Sequence, residues 1–205
     1  MIKSLQILMF AVGLVCGLTG CVSTAIAQKS KSKIVKNKIA APRTVTDFYL
    51  RLPAKYFPFF DRVKNRRDLI EGENLADGYL NFMGNRVGMP LHNEMLLLKK
   101  MSGVPMLVIA YSKCLAGGCE AVLHFLEYEN GRWSEADAAP PFELAAMREI
   151  YRRQTGKEAD EKPYIIYSLS PTDKSLTVTF GGEQEVEIYK LKWDGNIYDF
   201  AAPNE

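Results

Sequence analysis

EAVLHFLEY, residues 120–128, followed by Asn130-Gly131, is the clearest β-structure signal in the chain. The run is apolar on both faces of an extended chain, which is typical of a strand with neighbours on either side. Asn-Gly is the pair that two-residue hairpin loops favour, because both of its residues tolerate positive φ. The sequence therefore predicts a central strand that turns at Asn130-Gly131 into a partner containing Arg132-Trp133.

Further strand patterns extend from this hairpin in both directions. Before it come residues 78–82, 94–100 and 105–111, and the last two flank a Ser102-Gly103 turn. After it come residues 164–169, 175–180, 185–193 and 197–200, and apolar residues in 175–180 alternate with Ser and Thr. Residues 71–74 (EGEN) are interpreted as a loop. Two hairpin tips, 128–133 and 193–198, share an order of aromatic, turn, glycine and aromatic, which generic hairpin chemistry explains better than duplication.

Two main helices are predicted beside the strands. The first opens at Thr44, carries an apolar stripe and stops at Pro53; the stripe is Val45, Phe48, Tyr49 and Leu52. The second follows Pro140-Pro141, ends near Thr155 with Gly156 as its cap, and has Leu144, Met147 and Tyr151 as its buried stripe. A short basic helix is predicted over residues 62–70. The predicted fold is α+β, with an antiparallel, meandering sheet covered by the two main helices.

The N-terminus reads as an export signal. Lys3 precedes an apolar run over residues 5–16, which is too short to span a bilayer as a permanent helix. The next residues, Leu18-Thr19-Gly20-Cys21, resemble the lipobox of bacterial lipoproteins. That resemblance implies a signal peptide over residues 1–20 and lipidation of Cys21. Residues 21–41 would then form a flexible basic tether, and residues 42–205 a single folded domain.

Export without an anchor is the alternative interpretation. Ala25-Ile26-Ala27 suits ordinary signal peptidase, and cleavage there would release a soluble periplasmic or secreted protein beginning at Gln28. The lipobox lies directly against the apolar run and the Ala-x-Ala site lies farther out, which favours lipidation. Both interpretations place the domain in the bacterial envelope or outside the cell. The lipid anchor, if present, makes the membrane a partner of this protein.

Composition indicates a globular domain with an acidic balance. Hydrophobic residues make up 47% of the chain and charged residues 24%, which is enough apolar content for a sizeable core. Six of the 26 basic residues lie in positions 1–41, where there is no acidic residue, and this leaves 20 basic against 24 acidic residues in the remainder. This balance argues against nucleic acid as a partner.

Cys114 and Cys119 are predicted to form a disulfide. Cys16 leaves with the signal and Cys21 takes the lipid, so these two cysteines form an even pair in an oxidising compartment. The intervening Gly117-Gly118 allows the chain to bend tightly between two strands. A redox-active pair is the weaker alternative, because it would usually be Cys-x-x-Cys at the start of a helix. Metal binding by these cysteines is weaker still.

No motif in the sequence specifies an enzyme, a cofactor or a metal. The two histidines, His92 in an apparent loop and His124 in the predicted central strand, do not stand in a zinc-binding arrangement. There is no Gly-x-Ser-x-Gly elbow, no P-loop and no dinucleotide-binding glycine motif. We therefore predict no metal and no cofactor, and we name the exposed aromatic residues as candidate contacts. These are Tyr56, Phe57, Phe59, Phe60, Trp133 and Trp193.

The leading functional hypothesis is a non-catalytic envelope lipoprotein. Its domain would bind an envelope protein or a ligand through loops or a sheet edge, because the sequence offers much core and few reactive groups. It resembles the many small exported bacterial proteins that combine a lipobox with one α+β domain, a likeness too general to name a family. Two alternatives stay open: an envelope hydrolase with an unrecognised site, and an inhibitor of a secreted enzyme that presents the loop between Cys114 and Cys119. The sequence does not fix the oligomeric state.

Overall fold

The structure is a computed structural model that describes residues 41–56, 65–82, 93–115, 118–181 and 184–201, with backbone alone for 113–115 and 118–120. These residues belong to one compact unit, Ala40–Glu205. Its class is α+β with antiparallel sheets, as predicted, but there are two sheets where one was expected. The predicted N-terminal signal and all of the predicted tether except Ala41 lie outside the described residues.

The larger sheet is a six-stranded meander in which every strand pairs with its neighbour in sequence. Its strands are β1 (Ile70–Asn74), β2 (Tyr79–Phe82), β3 (Glu94–Lys99), β4 (Pro105–Leu115), β5 (Gly118–Glu129) and β6 (Arg132–Glu135). The smaller sheet has the order β10-β9-β8-β7. Its strands are β7 (Tyr164–Leu169), β8 (Leu176–Gly181), β9 (Glu185–Trp193) and β10 (Tyr198–Phe200).

Two α-helices lie at the positions that the sequence predicts. α1 (Val45–Arg51) begins with a capping box, in which Thr44 accepts a hydrogen bond from the Asp47 N–H and the Asp47 carboxylate accepts one from the Thr44 N–H. Its predicted stripe is buried and packs against β2 and β3. α2 (Leu144–Thr155) ends at Gly156, whose φ of 69° is the left-handed conformation that favours glycine.

The buried stripe of α2 is shorter than predicted. Met147 and Tyr151 are buried against the smaller sheet, but Leu144 is 48% exposed. Leu144 is the first residue of the helix, and its side chain lies outside the contact that Met147 and Tyr151 make with the smaller sheet. The prediction was therefore wrong at the first helical turn.

The strand that is buried on both faces is β4, not the predicted 120–128. Met106, Val108 and Ala110 of β4 face the smaller sheet and α2, while Leu107 and Ile109 face α1. In β5 Leu126 is buried, whereas residues 121–125 are partly exposed. β5 is less buried than β4 because it is the fifth of six strands and β6 pairs with its last part alone.

Two short segments also differ from prediction. Residues 71–74, interpreted as a loop, belong to β1, whose edge position tolerates a polar sequence because one side needs no partner. The predicted basic helix is a single 3-10 turn, Arg66–Leu69, capped by the Asn65 side chain, and Ile70 already belongs to β1. The earlier part of that prediction, residues 62–64, lies outside the described residues.

The two similar hairpin tips have different loops. Tyr128 pairs with Trp133 across a two-residue loop, in which Asn130 has a φ of 51° and Gly131 a φ of 79°. Trp193 pairs with Tyr198 across a four-residue loop that the Asp194 side chain organises by accepting two backbone N–H groups. The shared residue order therefore occurs in two loops of different length and hydrogen bonding.

Candidate functional site

The first half of β5 has an edge that no described strand covers. β4 pairs with residues 118–127 of β5, whereas β6 pairs with residues 126–129 alone. After β6 the chain leaves the sheet, so residues 121–124 of β5 have no strand neighbour on that side among the described residues. We call the outer side of these residues the open edge.

The open edge presents backbone hydrogen-bonding groups. The Ala136 N–H donates to the Phe125 carbonyl at 2.9 Å, and this is the last hydrogen bond before the chain leaves the sheet. Because backbone groups alternate between the two sides of an antiparallel strand, Leu123 and Ala121 direct their N–H and C=O groups to the same side as Phe125. Two donors and two acceptors therefore lie at the open edge without a strand partner among the described residues.

The open edge lacks the protection that the opposite edge of the same sheet has. β1 carries Glu71 and Glu73 and has a register shift between Ile70 and Gly72, and both features discourage pairing with another chain. Residues 121–123 (Ala-Val-Leu) carry no charge. A sheet edge of this kind favours the addition of a further strand.

A wall fixed to both sheets stands beside the open edge. It is the connection over residues 136–142, between β6 and α2. Ala136 is bonded to the larger sheet through Phe125, and the Ala138 carbonyl accepts from the Tyr198 N–H of the smaller sheet at 2.6 Å. Pro140 and Pro141 then restrict the backbone, since the ring of proline fixes φ. The wall is therefore held in place before any ligand arrives.

Between the wall and β5 lies a groove of about 480 Å³. Its apolar side contains Leu123 and Phe125 of β5 with Phe142 and Tyr167. The rings of Phe142 and Tyr167 have centroids 5.8 Å apart, and Phe142 also stacks on Tyr189 at 5.9 Å. Burial raises the pKa of Tyr167, so its phenol is neutral at physiological pH. This volume and lining suit the apolar side chains of a ligand.

The other face of the open edge is aromatic and polar. The His124 ring lies 5.3 Å from the Tyr56 ring and 6.0 Å from the Tyr111 ring, measured between centroids. Burial lowers the pKa of His124, so the imidazole is neutral at pH 7. His124 is thus packed among aromatic side chains, and no hydrogen bond to its ring is found within the described part of the chain.

Two carboxylates stand at the rim of the groove. Glu135 lies 3.8 Å from the Lys55 ammonium, with both side chains about two-thirds exposed (64% and 67%). Asp137 is exposed and makes no ion pair with any residue that the structure describes. Since His124 is neutral, the rim carries a net negative charge of about one unit.

A second groove of about 480 Å³ lies between the β1–β2 turn, the start of β4 and the end of β9. Arg43, Lys99 and Lys174 line it, and the Lys174 ammonium donates to the carbonyls of Asp77 and Pro171, each at 2.5 Å. The Lys174 backbone has a left-handed conformation with a φ of 58°. Its ammonium therefore joins two turns of the fold, which makes this groove the weaker candidate for binding.

The predicted aromatic contacts have different fates. Tyr56 is 2% exposed and packs in the core between α1 and the larger sheet, so it is not a surface contact. Trp133 is partly buried, with its ring 4.9 Å from Tyr128 and 5.9 Å from Phe48. Trp193 is partly buried against Tyr198 at 5.5 Å. Phe57, Phe59 and Phe60 lie outside the described residues.

The cysteines and His92 are described less fully. Cys21 and His92 lie outside the described residues. The backbone of Cys114 is the direct cross-strand partner of Cys119. Since the alternate residues of β5 bond to β4, this pair is of the kind without backbone hydrogen bonds between its members, in which Cα atoms are about 4.5 Å apart. That separation falls within the range for a disulfide, which stays a prediction.

Two features are absent from the part of the chain that the structure describes. It holds no group of three or more His, Cys, Asp or Glu residues placed to bind a metal ion. None of its helices has the length and apolar character needed to cross a bilayer.

Sequence reasoning missed the groove itself. Leu123, Phe142 and Tyr167 come from three separate parts of the chain and were assigned to no site. One signal was present, because β5 was predicted to be long while the segment after Trp133 soon reaches Pro140-Pro141. A short partner beside a long strand implies an uncovered edge.

Comparison with known proteins leaves the function open. No family model matches the chain, and no curated protein matches it. A similar solved structure is a domain of an uncharacterized protein from Porphyromonas gingivalis W83. The two are 11% identical with a TM-score of 0.44, over 79% of this chain and 100% of that one. At this level the likeness does not define a shared function.

Proposed function

We propose that this protein is an exported bacterial lipoprotein whose domain is a non-catalytic binding module. The observation that carries the binding role is the open edge of β5 beside a groove whose wall is fixed to both sheets. In this proposal α1 covers one face of the larger sheet, α2 packs against the smaller sheet, and the open edge is the contact surface. The lipid on Cys21 and the tether over residues 21–41 would hold that surface near the membrane.

A wall that is fixed in advance favours binding, because the ligand does not have to order it. The groove offers apolar rings on one side and backbone groups along its length. Its ionisable lining residues are His124, Glu135 and Asp137: the imidazole is partly buried among rings, Glu135 interacts with Lys55 at the surface, and Asp137 is exposed at the rim. Recognition therefore accounts for more of these features than hydrolysis does.

Site-specific photo-crosslinking in intact cells of the native host tests the binding role. A photoreactive amino acid at Ala139, in the wall, should give a discrete adduct whose yield falls when Phe142→Ser is added. The matched control position is Thr177 of β8, on a strand with neighbours on both sides. Equal adducts from both positions, or none from Ala139, would contradict the proposal.

The lipid anchor has its own test. Mass spectrometry of the mature N-terminus should give a diacylglyceryl-modified Cys21, and Cys21→Ser should release the protein from the membrane fraction. A mature chain that begins at Gln28 would instead support ordinary cleavage after Ala27. That outcome removes the anchor from the proposal and leaves the binding module.

A further inference from the structure

The hydrogen-bonding groups of the open edge specify a partner more closely than the groove does. We infer that the partner is an extended polypeptide segment that adds to the larger sheet as an antiparallel strand along residues 121–124 of β5. This inference rests on the proposed function and names the class of ligand. Main-chain bonding supplies affinity in such complexes, and pockets for alternate side chains supply selectivity.

The register of the added strand follows from the alternation in β5. Partner residues opposite Leu123 and Ala121 exchange backbone hydrogen bonds with them, because those two residues direct their N–H and C=O groups outward. Paired residues place their side chains on the same face of a sheet. The side chains opposite Leu123 and Ala121 therefore enter the apolar groove formed with Phe142 and Tyr167. Both should be apolar.

The other face selects a basic side chain. The partner residue opposite His124 shares a face with Glu135, which pairs with Leu126 two positions along β5. Glu135 and Asp137 make the rim acidic, and Lys55 offsets one of these two charges. A lysine or arginine opposite His124 is thus complementary in charge. Read from its N-terminus, the partner motif is basic, apolar, any residue, apolar.

Fluorescence anisotropy with synthetic peptides tests this motif on the full-length chain. The probe is an amidated peptide in which Lys-Val-Thr-Val is flanked by two glycines at each end, with fluorescein on its N-terminal amine. Methylating both valine amide nitrogens deletes the donors that face β5 and should weaken binding about 10- to 100-fold. The order Lys-Thr-Val-Thr presents polar side chains to the apolar groove and should weaken binding at least about 10-fold.

Charge selectivity is tested by exchange of charges. Replacing lysine by glutamate in the probe should weaken binding about 3- to 10-fold at low salt, and Glu135→Lys should reverse the preference. Glu129→Lys is the matched control, since Glu129 is an exposed glutamate of the same hairpin that pairs with Arg132 in β6. It should leave both affinities unchanged.

Amide hydrogen exchange reads the register directly. On addition of the probe, exchange at Ala121 and Leu123 should slow by at least about 10-fold, because their N–H groups gain acceptors. Exchange at Val122 and His124 should change little, since they already pair with β4. Equal protection of all four amides, or of none, would overturn the inference.

The outcomes separate this inference from the proposed function. If no peptide binds while Ala139 still gives its adduct in cells, the ligand is not an extended strand and the binding module stands. If the adduct is also absent, both proposals fail. If Ala121 and Leu123 become protected as the protein concentration rises without peptide, the occupant is a second copy of this chain, and the inference of a foreign segment is wrong.

Discussion

Glu94 should be among the most consequential polar side chains of the fold. Its carboxylate lies between the two sheets and accepts hydrogen bonds from the Leu169 N–H at 2.6 Å and the Tyr79 hydroxyl at 2.9 Å. Leu169 is buried and Tyr79 is partly buried. Burial and the neighbouring Glu94 raise the pKa of Tyr79, so its hydroxyl keeps the proton that it donates. We predict that Glu94→Ala destabilises the domain far more than a surface carboxylate would.

The magnitude follows from the two donors. A hydrogen bond to a charged group contributes about 1.5–3 kcal/mol, and its removal leaves a buried donor unsatisfied. We assign the upper part of that range to the Leu169 N–H and the lower part to the Tyr79 hydroxyl, which reaches solvent more easily. Allowing for relaxation, the expected loss is about 3 kcal/mol. For a domain of this size it lowers the midpoint of thermal unfolding by about 6–12 °C.

Glu185→Ala is the matched control. Glu185 also accepts a hydrogen bond from a tyrosine hydroxyl, that of Tyr164 at 2.7 Å, but it lies exposed at the surface. Its removal should cost less than about 1 kcal/mol. Urea unfolding of both variants, followed by tryptophan fluorescence, measures the difference. Equal losses in the two variants would refute the reasoning that burial of the Leu169 donor makes Glu94 important.

Four other predictions concern single groups. The Tyr198 hydroxyl is buried without a partner among the described residues, so Tyr198→Phe should be neutral or stabilise by up to about 1 kcal/mol in urea unfolding; a clear loss would mean that the hydroxyl is bound. Replacing Cys114 and Cys119 by serine should cost about 2 kcal/mol, provided that thiol quantification of the wild-type protein first shows no free thiol at these positions. Hydrogen bonds with two serine side chains hold the pKa of Asp173 at about 2, below its value of 3.8 in the unfolded chain. Asp173 therefore contributes stability above pH 4 that is lost as the pH falls towards 2, and the exposure of its side chain limits this contribution to about 1 kcal/mol. Asp173→Asn should remove this pH dependence. Burial lowers the pKa of His124 below 6.5. The free energy of unfolding should therefore decrease as the pH falls from 7.5 to 5.5, because the unfolded chain takes up the proton first. His124→Phe should abolish this pH dependence.

The local signals in the sequence were sufficient for most elements. The Asn130-Gly131 loop, the alternation in β8 and the cap at Thr44 depend on neighbouring residues, and all three are confirmed. The sequence did not reveal that the strands divide into two sheets, because hydrogen bonding between distant strands leaves no local periodicity. The same reason explains why β5 was taken for the central strand in place of β4.

The groove was harder to predict because it lies where β5 has no partner strand from β6. Leu123 and Phe142 are ordinary core residues by sequence, and they line a groove because β6 ends early and the wall turns away after Ala136. Tyr56 shows the opposite error. It was chosen as an exposed contact for being aromatic, yet the 3-10 turn Ala54–Tyr56 that follows α1 packs it into the core.

The double burial of β4 constrains how the chain can fold during synthesis. Met106, Val108 and Ala110 obtain their cover from residues that the ribosome makes much later, including Leu176, Val178 and Leu191. A nascent chain halted after β6 would expose the apolar face of its larger sheet that the smaller sheet covers in the complete domain, and such surfaces promote aggregation. The domain therefore cannot mature stepwise from its N-terminus, and a fragment that ends at Glu135 should require a chaperone to remain in solution.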